Sequence, residues 1–156
     1  MKALDKIDKK LLTLLQEDAK QSTKELALKV GLSASPTFER IKRLEQSGLI
    51  KSYVAICDNK KLGKPLEAFC QVSLQEHSED LIKRFQQKIS QLPAVSACYH
   101  VSGNHDYLLK LQVKDMETYQ AFIVKQLSKI PNVSNVHSFF VMGTIKEDTA
   151  ISLSDD

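Results

Sequence analysis

Between residues 66 and 142 the apolar side chains switch back and forth between a repeat of two and a repeat of 3.6. The order of those switches leaves few folds open. Leu66, Ala68, Cys70, Val72 and Leu74 alternate with Glu67, Gln71 and Ser73, which predicts a strand. Leu81, Ile82, Phe85, Ile89 and Leu92 then recur at helical spacing over about 79–91, and Pro93 stops the run. Val95, Ala97, Tyr99 and Val101 alternate with Ser96, Cys98, His100 and Ser102. Gly103-Asn104 reads as a turn, and Tyr107, Leu109, Leu111 and Val113 form the return strand. Asp115 opens a second helix with Tyr119, Phe122, Ile123, Leu127 and Ile130 inward; Pro131 ends it, and 133–142 is a last strand.

Strand, helix, strand, strand, helix, strand is the order of the ferredoxin-like split βαβ unit. Both helices of such a unit cover one sheet face. Phe69 and Leu108 fall on the opposite face, and Phe139, Phe140, Val141 and Met142 are apolar on both faces of the final strand. An apolar outer face on a small sheet marks an association surface, so a homodimer formed by packing these sheets is expected.

The first 56 residues read differently. Ile7, Leu11, Leu12, Leu14 and Leu15 make one face of a helix over about 5–18, with Asp5 as its cap. Ser22 followed by Glu25 is a capping box for a short helix that ends at Gly31. The third helix runs to about Ser47, with Ser35 preferred over Ser33 as its cap because Pro36 belongs in the first turn. Phe38, Ile41 and Leu44 are expected inward. Leu49, Ile50, Tyr53, Val54 and Ile56 continue as a mostly apolar strand.

Two helices joined by about four residues with a glycine form a helix-turn-helix. The third helix then shows Ser35, Pro36, Glu39, Arg40, Lys42, Arg43 and Gln46 outward. Short polar groups at its start suit base edges, and cations further along suit phosphates. Charge supports this reading. Residues 1–64 carry 14 basic and 8 acidic side chains, whereas residues 65–156 carry 8 and 11. The expected architecture is α+β: a winged-helix-like helix-turn-helix domain over 1–56, a basic linker over 57–65, and a ferredoxin-like βαββαβ domain over 66–156.

Several classes drop out. No apolar run approaches the roughly 20 residues of a membrane span, and Met1–Lys10 has no apolar core of a secretory signal. Cys57, Cys70 and Cys98 are odd in number and widely spaced, which fits reduced thiols in a cytoplasm and no zinc site. His100, His105 and Asp106 lack a third imidazole or thiolate at ligand spacing, so no metal and no cofactor is expected. The loop Ser102-Gly103-Asn104-His105-Asp106 is the most polar concentration in the second half. Its carboxylate suits an ammonium group and its backbone N–H groups a carboxylate, the two ends of an α-amino acid. A plain hairpin turn is the other reading of Gly-Asn.

The chain resembles the Lrp/AsnC (feast/famine) transcriptional regulators over almost its whole length. The matching runs are Leu4-Asp5-Lys6-Ile7-Asp8 with 11–15, Lys24-Glu25-Leu26-Ala27, Val30-Gly31-Leu32-Ser33, 39–45 and Gly48-Leu49-Ile50. In the second half they are Val101 to Leu109 and Ile130-Pro131-Asn132-Val133. The resemblance implies a DNA-binding regulator of double-stranded operator DNA, dimeric and often octameric, whose amino-acid effector sits between dimers. The implied effector residues are Ser102, Gly103, Asn104, His105, Asp106 and Ser138. The family often has Asp or Glu where Asn104 stands, glycine at Asn132 and Thr at Ser138.

On this basis Ser35, Thr37, Glu39 and Arg40 are expected to reach bases, with Ser33 and Pro36 also at the DNA interface. Lys42, Arg43 and Lys51 lie where phosphates are held. Enzymes of modified tetrapyrrole metabolism resemble the family in fold, and His100 or His105 would then serve catalysis. The sequence carries no paired nucleophile and base, so no enzyme is expected. An amino-acid-binding module without DNA binding is the remaining alternative.

Overall fold

In the computed structural model the described residues run from Ala3 to Leu153, and they divide into two compact units. One holds residues up to Ile56 together with the segment from Lys146 onward; the other spans Cys57–Ile145.

The first unit contains α1 (Lys6–Glu17), α2 (Thr23–Val30) and α3 (Ala34–Gln46). Asp5 caps α1, and its reciprocal partner in the capping box is Asp8. Ser22 and Glu25 do the same for α2. Gly31 then turns the chain with φ of 71°, a left-handed conformation that costs an L side chain about 1 kcal/mol or more. The Leu32 amide donates back to the Ala27 carbonyl at 3.0 Å, closing the helix end. Leu11, Leu12, Leu26 and Leu44 form the core of this unit, with Leu153 packed against it. The C-terminal segment is tied to α1 through a reciprocal amide pair. Gln16 Nε2 donates to the Ile151 carbonyl at 3.1 Å, and the Ile151 amide donates to Gln16 Oε1 at 2.7 Å. The expected boundary at 66–156 is therefore corrected: the chain returns to the helical unit after residue 145.

Three further expectations change here. The cap of α3 is Ser33, not Ser35, so the helix begins two residues before Pro36. Proline's missing N–H costs nothing anywhere in a first turn. Thr37 is the buried residue of the first turns and Phe38 is exposed, so the inward stripe is Thr37, Ile41 and Leu44. Residues 49–56 form no strand among the described residues, and Tyr53, Val54 and Ile56 are exposed. An extended apolar run becomes a strand only when another strand satisfies its backbone.

The second unit contains β1 (Leu66–Leu74), α4 (Glu79–Ser90), β2 (Val95–His100), β3 (Tyr107–Val113), α5 (Met116–Lys125) and β4 (Val133–Phe140). The sheet order is β2-β3-β1-β4, every pair antiparallel, which is the ferredoxin-like arrangement. A single 3₁₀ turn over Leu127–Lys129 separates α5 from Pro131, where one continuous helix was expected. Ala68, Cys70, Val72, Leu109 and Leu111 meet Phe85 and Ile89 of α4 and Tyr119 and Phe122 of α5 in one core. Each buried Leu, Val or Phe contributes roughly 1.5–3 kcal/mol. The linker lysines belong to this unit. Asp58 Oδ1 accepts from the Lys60 and Lys61 amides at 2.9 and 3.1 Å, winding 58–64 into a compact turn.

β2 departs from simple alternation. Val95 faces Leu111, but Ala97 faces Lys110 and Cys98 faces Leu109, so Ser96 is a bulge. Beyond it Cys98 and His100 share the core-side rows of Leu109 and Tyr107, and Tyr99 turns outward beside Leu108. The expected grouping of Val95, Ala97, Tyr99 and Val101 on one face is corrected accordingly. Phe69, Leu108, Tyr99 and Phe139 lie on the sheet face opposite the helices. Lys110 and Glu67 form an ion pair there at 3.4 Å.

Candidate DNA-reading face and effector loop

The DNA-reading candidates occupy α3 and its approach. Ser33, Ser35, Pro36, Glu39, Lys42 and Lys51 are exposed. Thr37 is not: it is 0 % exposed, and its hydroxyl donates to the Ser33 carbonyl at 2.9 Å. That hydroxyl closes the first turn of α3 from inside, so Thr37 has no edge to offer a base.

Arg40 and Arg43 are held by α1. Arg40 Nη1 donates to Asp5 Oδ2 at 2.6 Å and to Asp8 Oδ1 at 2.7 Å. Arg43 Nη2 donates to Asp8 Oδ1 at 2.8 Å and to Oδ2 at 2.7 Å. The Asp8 side chain is 4 % exposed, against 24 % for Arg40 and 45 % for Arg43. One buried carboxylate therefore receives two guanidinium groups and fixes α3 against the start of α1. The Asp5 carboxyl sits below its usual range, first because the Asp8 amide donates to it and then because Arg40 does. Sequence reading saw Asp5 as the cap of α1 but neither the capping box nor the clamp. Nothing within a helical turn announces a partner 32 or 35 residues away.

The second group lies at the β2–β3 turn. Ser102, Gly103 and Asn104 are exposed. Gly103 has φ of 119°, a conformation that only glycine adopts without strain. Asp106 staples this loop to the end of β1. Its Oδ2 accepts from the Leu74 amide at 2.7 Å, and its Oδ1 meets His77 Nε2 at 2.7 Å. Its own amide donates to the Val72 carbonyl at 3.0 Å. The Leu74 amide holds the carboxyl below its usual range, His77 adding to the effect. His105 Nδ1 lies 3.1 Å from the Ser73 hydroxyl, and its ring is 5.4 Å from that of His137. His100 stacks on Tyr107 with centroids 4.8 Å apart. Among the described residues no group of three His, Cys, Asp or Glu is placed to hold a metal ion.

Ser138 lies elsewhere. It hydrogen-bonds the Tyr119 hydroxyl and sits 3.4 Å from Cys70 Sγ. Together with Tyr119, Ile123, Val136 and His137 it lines an open cleft between α5 and β4. None of residues 102–106 lines that cleft. His77 is the site neighbour that sequence reading missed; it precedes α4 by two residues and carries no spacing relation to the loop.

A model of the winged helix-turn-helix DNA-binding domain matches residues 4–51, and one of the Lrp/AsnC ligand binding domain matches residues 67–151. The Bkd operon transcriptional regulator of Pseudomonas aeruginosa is 39% identical over 145 residues, covering 93% of this chain and 95% of its own. The DNA-binding transcriptional activator DecR of Escherichia coli is 39% identical over 150 residues, covering 96% and 99%. Among solved structures, a transcriptional regulator of Neisseria meningitidis in complex with L-Met superimposes with a TM-score of 0.93. It is 33% identical and covers 97% of both chains. No helix among the described residues is long and apolar enough to cross a membrane.

Proposed function

The chain belongs to the Lrp/AsnC family of transcriptional regulators, and from that premise we propose how its two units divide the work. The helical unit binds double-stranded DNA with α3 in the major groove. The ferredoxin-like unit binds a small effector, an amino acid, and changes the assembly or DNA affinity of the protein. The observation that carries the reading is the outward face of α3. Ser35 and Glu39 are exposed for bases and Lys42 for a phosphate, while Asp8 anchors the helix from behind.

Within that reading Ser33, Ser35, Pro36 and Glu39 meet base edges. Lys42 and Lys51 meet phosphates, and Arg43 keeps an exposed edge for one. Arg40 positions the helix. The effector residues are Ser102, Gly103, Asn104, His105 and Asp106, with Ser138 contributed from the cleft of another copy. The cleft meets the loop at His137 beside His105, while Ser102, Gly103 and Asn104 stay exposed and outside its lining, which supports a site completed between copies. The apolar sheet face at Phe69, Leu108 and Phe139 supports a homodimer, and further assembly to an octamer brings dimers together at the loops. The protein acts in the cytoplasm. An effector shifts DNA binding only to the extent that it binds one assembly better than another.

The test is a thermal-shift screen of the purified protein with the twenty amino acids, followed by binding to promoter fragments over a salt series. A ligand of the native state at 100 times its Kd adds about 2.7 kcal/mol of apparent stability. Salt-dependent binding that changes with the stabilising amino acid is the expected result. DNA binding indifferent to every amino acid removes the sensing half of the proposal.

A further inference from the structure

We propose that Phe38 is a sequence-reading residue that contacts thymine 5-methyl groups in the major groove. The inference rests on the DNA-binding role given above. It starts from an aromatic in the wrong place for a core: Phe38 is 53 % exposed on the second turn of α3. At about 100° per residue it stands some 60° from Ser35 and 40° from Lys42 around the helix. It thus flanks the polar face and lies in the N-terminal half of α3, the part of a recognition helix that meets base edges.

The neighbouring chemistry narrows the role. Thr37 is buried, and Arg40 and Arg43 are engaged by Asp5 and Asp8, so the side chains usually expected to read this stretch are occupied. What remains beside Phe38 is a hydroxyl at Ser35, a carboxylate at Glu39 and a cation at Lys42. An exposed ring costs free energy in water and gains it only on meeting an apolar surface. The apolar group on a major-groove edge is the thymine methyl, and Phe is among the side chains that contact it. Lys42, one turn further along the same face, places a positive charge where the adjoining phosphates pass.

The experiment uses the full chain. Binding sites are selected from a random-sequence duplex pool. Affinities are then measured by fluorescence anisotropy on the selected duplex and on copies with single thymines replaced by deoxyuridine. The intact protein is expected to lose about fourfold per contacted methyl, the worth of one buried carbon. Phe38→Ala is expected to bind the thymine duplex at least fourfold more weakly and to show no further loss with deoxyuridine at those positions. Phe38→Leu, which keeps an apolar surface, is expected to retain part of the discrimination. Ring exposure means that neither variant removes a core group, and circular dichroism checks the fold. A Phe38→Ala protein with undiminished thymine preference overturns the proposal, as does a specific wild-type complex in which no methyl matters. If the intact chain shows no salt-dependent binding to any duplex, the DNA-binding reading itself falls. That failure is separate and recognisable.

Discussion

Asp8→Ala is the sharpest probe of how the recognition helix is held. The side chain is 4 % exposed, takes three hydrogen bonds from Arg40 and Arg43 at 2.7–2.8 Å, and completes the capping box on Asp5. A hydrogen bond to a charged group contributes about 1.5–3 kcal/mol net. Both guanidinium groups keep contact with solvent, 24 % and 45 % exposed, so water recovers much of what the carboxylate gave them. Removing the carboxylate should therefore cost about 2–3 kcal/mol in total, below the roughly 3–5 kcal/mol of a fully buried broken pair. With an m-value of about 2 kcal/mol/M the urea midpoint of the helical unit drops by about 1–1.5 M. Because the chain has two units, the loss should be read from hydrogen exchange of α1 and α3 amides as well as from the global transition. The double variant with Arg43→Ala should be less destabilised than the sum of the singles, with a coupling of about 1 kcal/mol or more. A midpoint shift under about 0.3 M, or no coupling between the two positions, would falsify the clamp.

Lys42→Ala should weaken binding to all duplexes alike and lower the salt slope by about 1, as loss of one phosphate contact does; a change in the selected sequence would assign it to base reading instead. Asp106→Asn should abolish amino-acid-dependent change in DNA affinity or mass while leaving the fold at neutral pH. The carboxyl of Asp106 is held below its ordinary value of 3.8, chiefly by the Leu74 amide. Its contribution to stability is thus present above that value and fades as pH falls through the lower folded one, so the variant should lose less stability than the parent as pH falls below about 4. Equal acid sensitivity in both proteins would show that the staple contributes nothing. Thiol titration near pH 7.5 should modify the exposed thiols of Cys57 and Cys98 first, Cys98 the slower of the two because desolvation raises its thiol. Cys70, buried and raised by burial, should react only on unfolding, and early modification there would contradict the core assignment.

The order of elements was legible because each has a single apolar period bounded by Pro, Gly or a capping residue. β1 and β3 run over the residues that alternation marks, Leu66–Leu74 and Tyr107–Val113. What failed did so where a non-local contact outranks the period. On α3 hydrophobicity points Phe38 inward, but Thr37 satisfies its hydroxyl on the Ser33 carbonyl and takes the buried position instead. In β2 one bulge at Ser96 reverses the faces of every later residue. At the loop, Asp106 was legible as a polar site residue, yet its partners Leu74 and His77 are brought in only by the sheet. The apolar run 49–56 has strand composition and no strand, because propensity does not provide a partner.

The charge pattern shifts in meaning once the two units are drawn where the fold draws them. Counted over Cys57–Ile145, the second unit holds 10 basic and 8 acidic side chains, because Lys60, Lys61 and Lys64 fold into it and the acidic C-terminal segment leaves it. The contrast between a basic first half and an acidic second half thus depends on a cut at residue 64, which is not a boundary of the fold. Net charge per unit then says little about which unit meets DNA. Placement decides instead. Asp5 and Asp8 face two of the cations of α3 from behind, and Lys42 and Lys51 remain on exposed positions. A phosphate a few ångströms from such a lysine responds to that charge and not to the sum over the unit, since the Debye length is about 8 Å at physiological salt. The same placement predicts that charge-neutral exchange matters: moving a lysine off α3 while adding one to the C-terminal segment should cost DNA affinity at constant net charge. Affinity that followed net charge alone would locate the interface elsewhere.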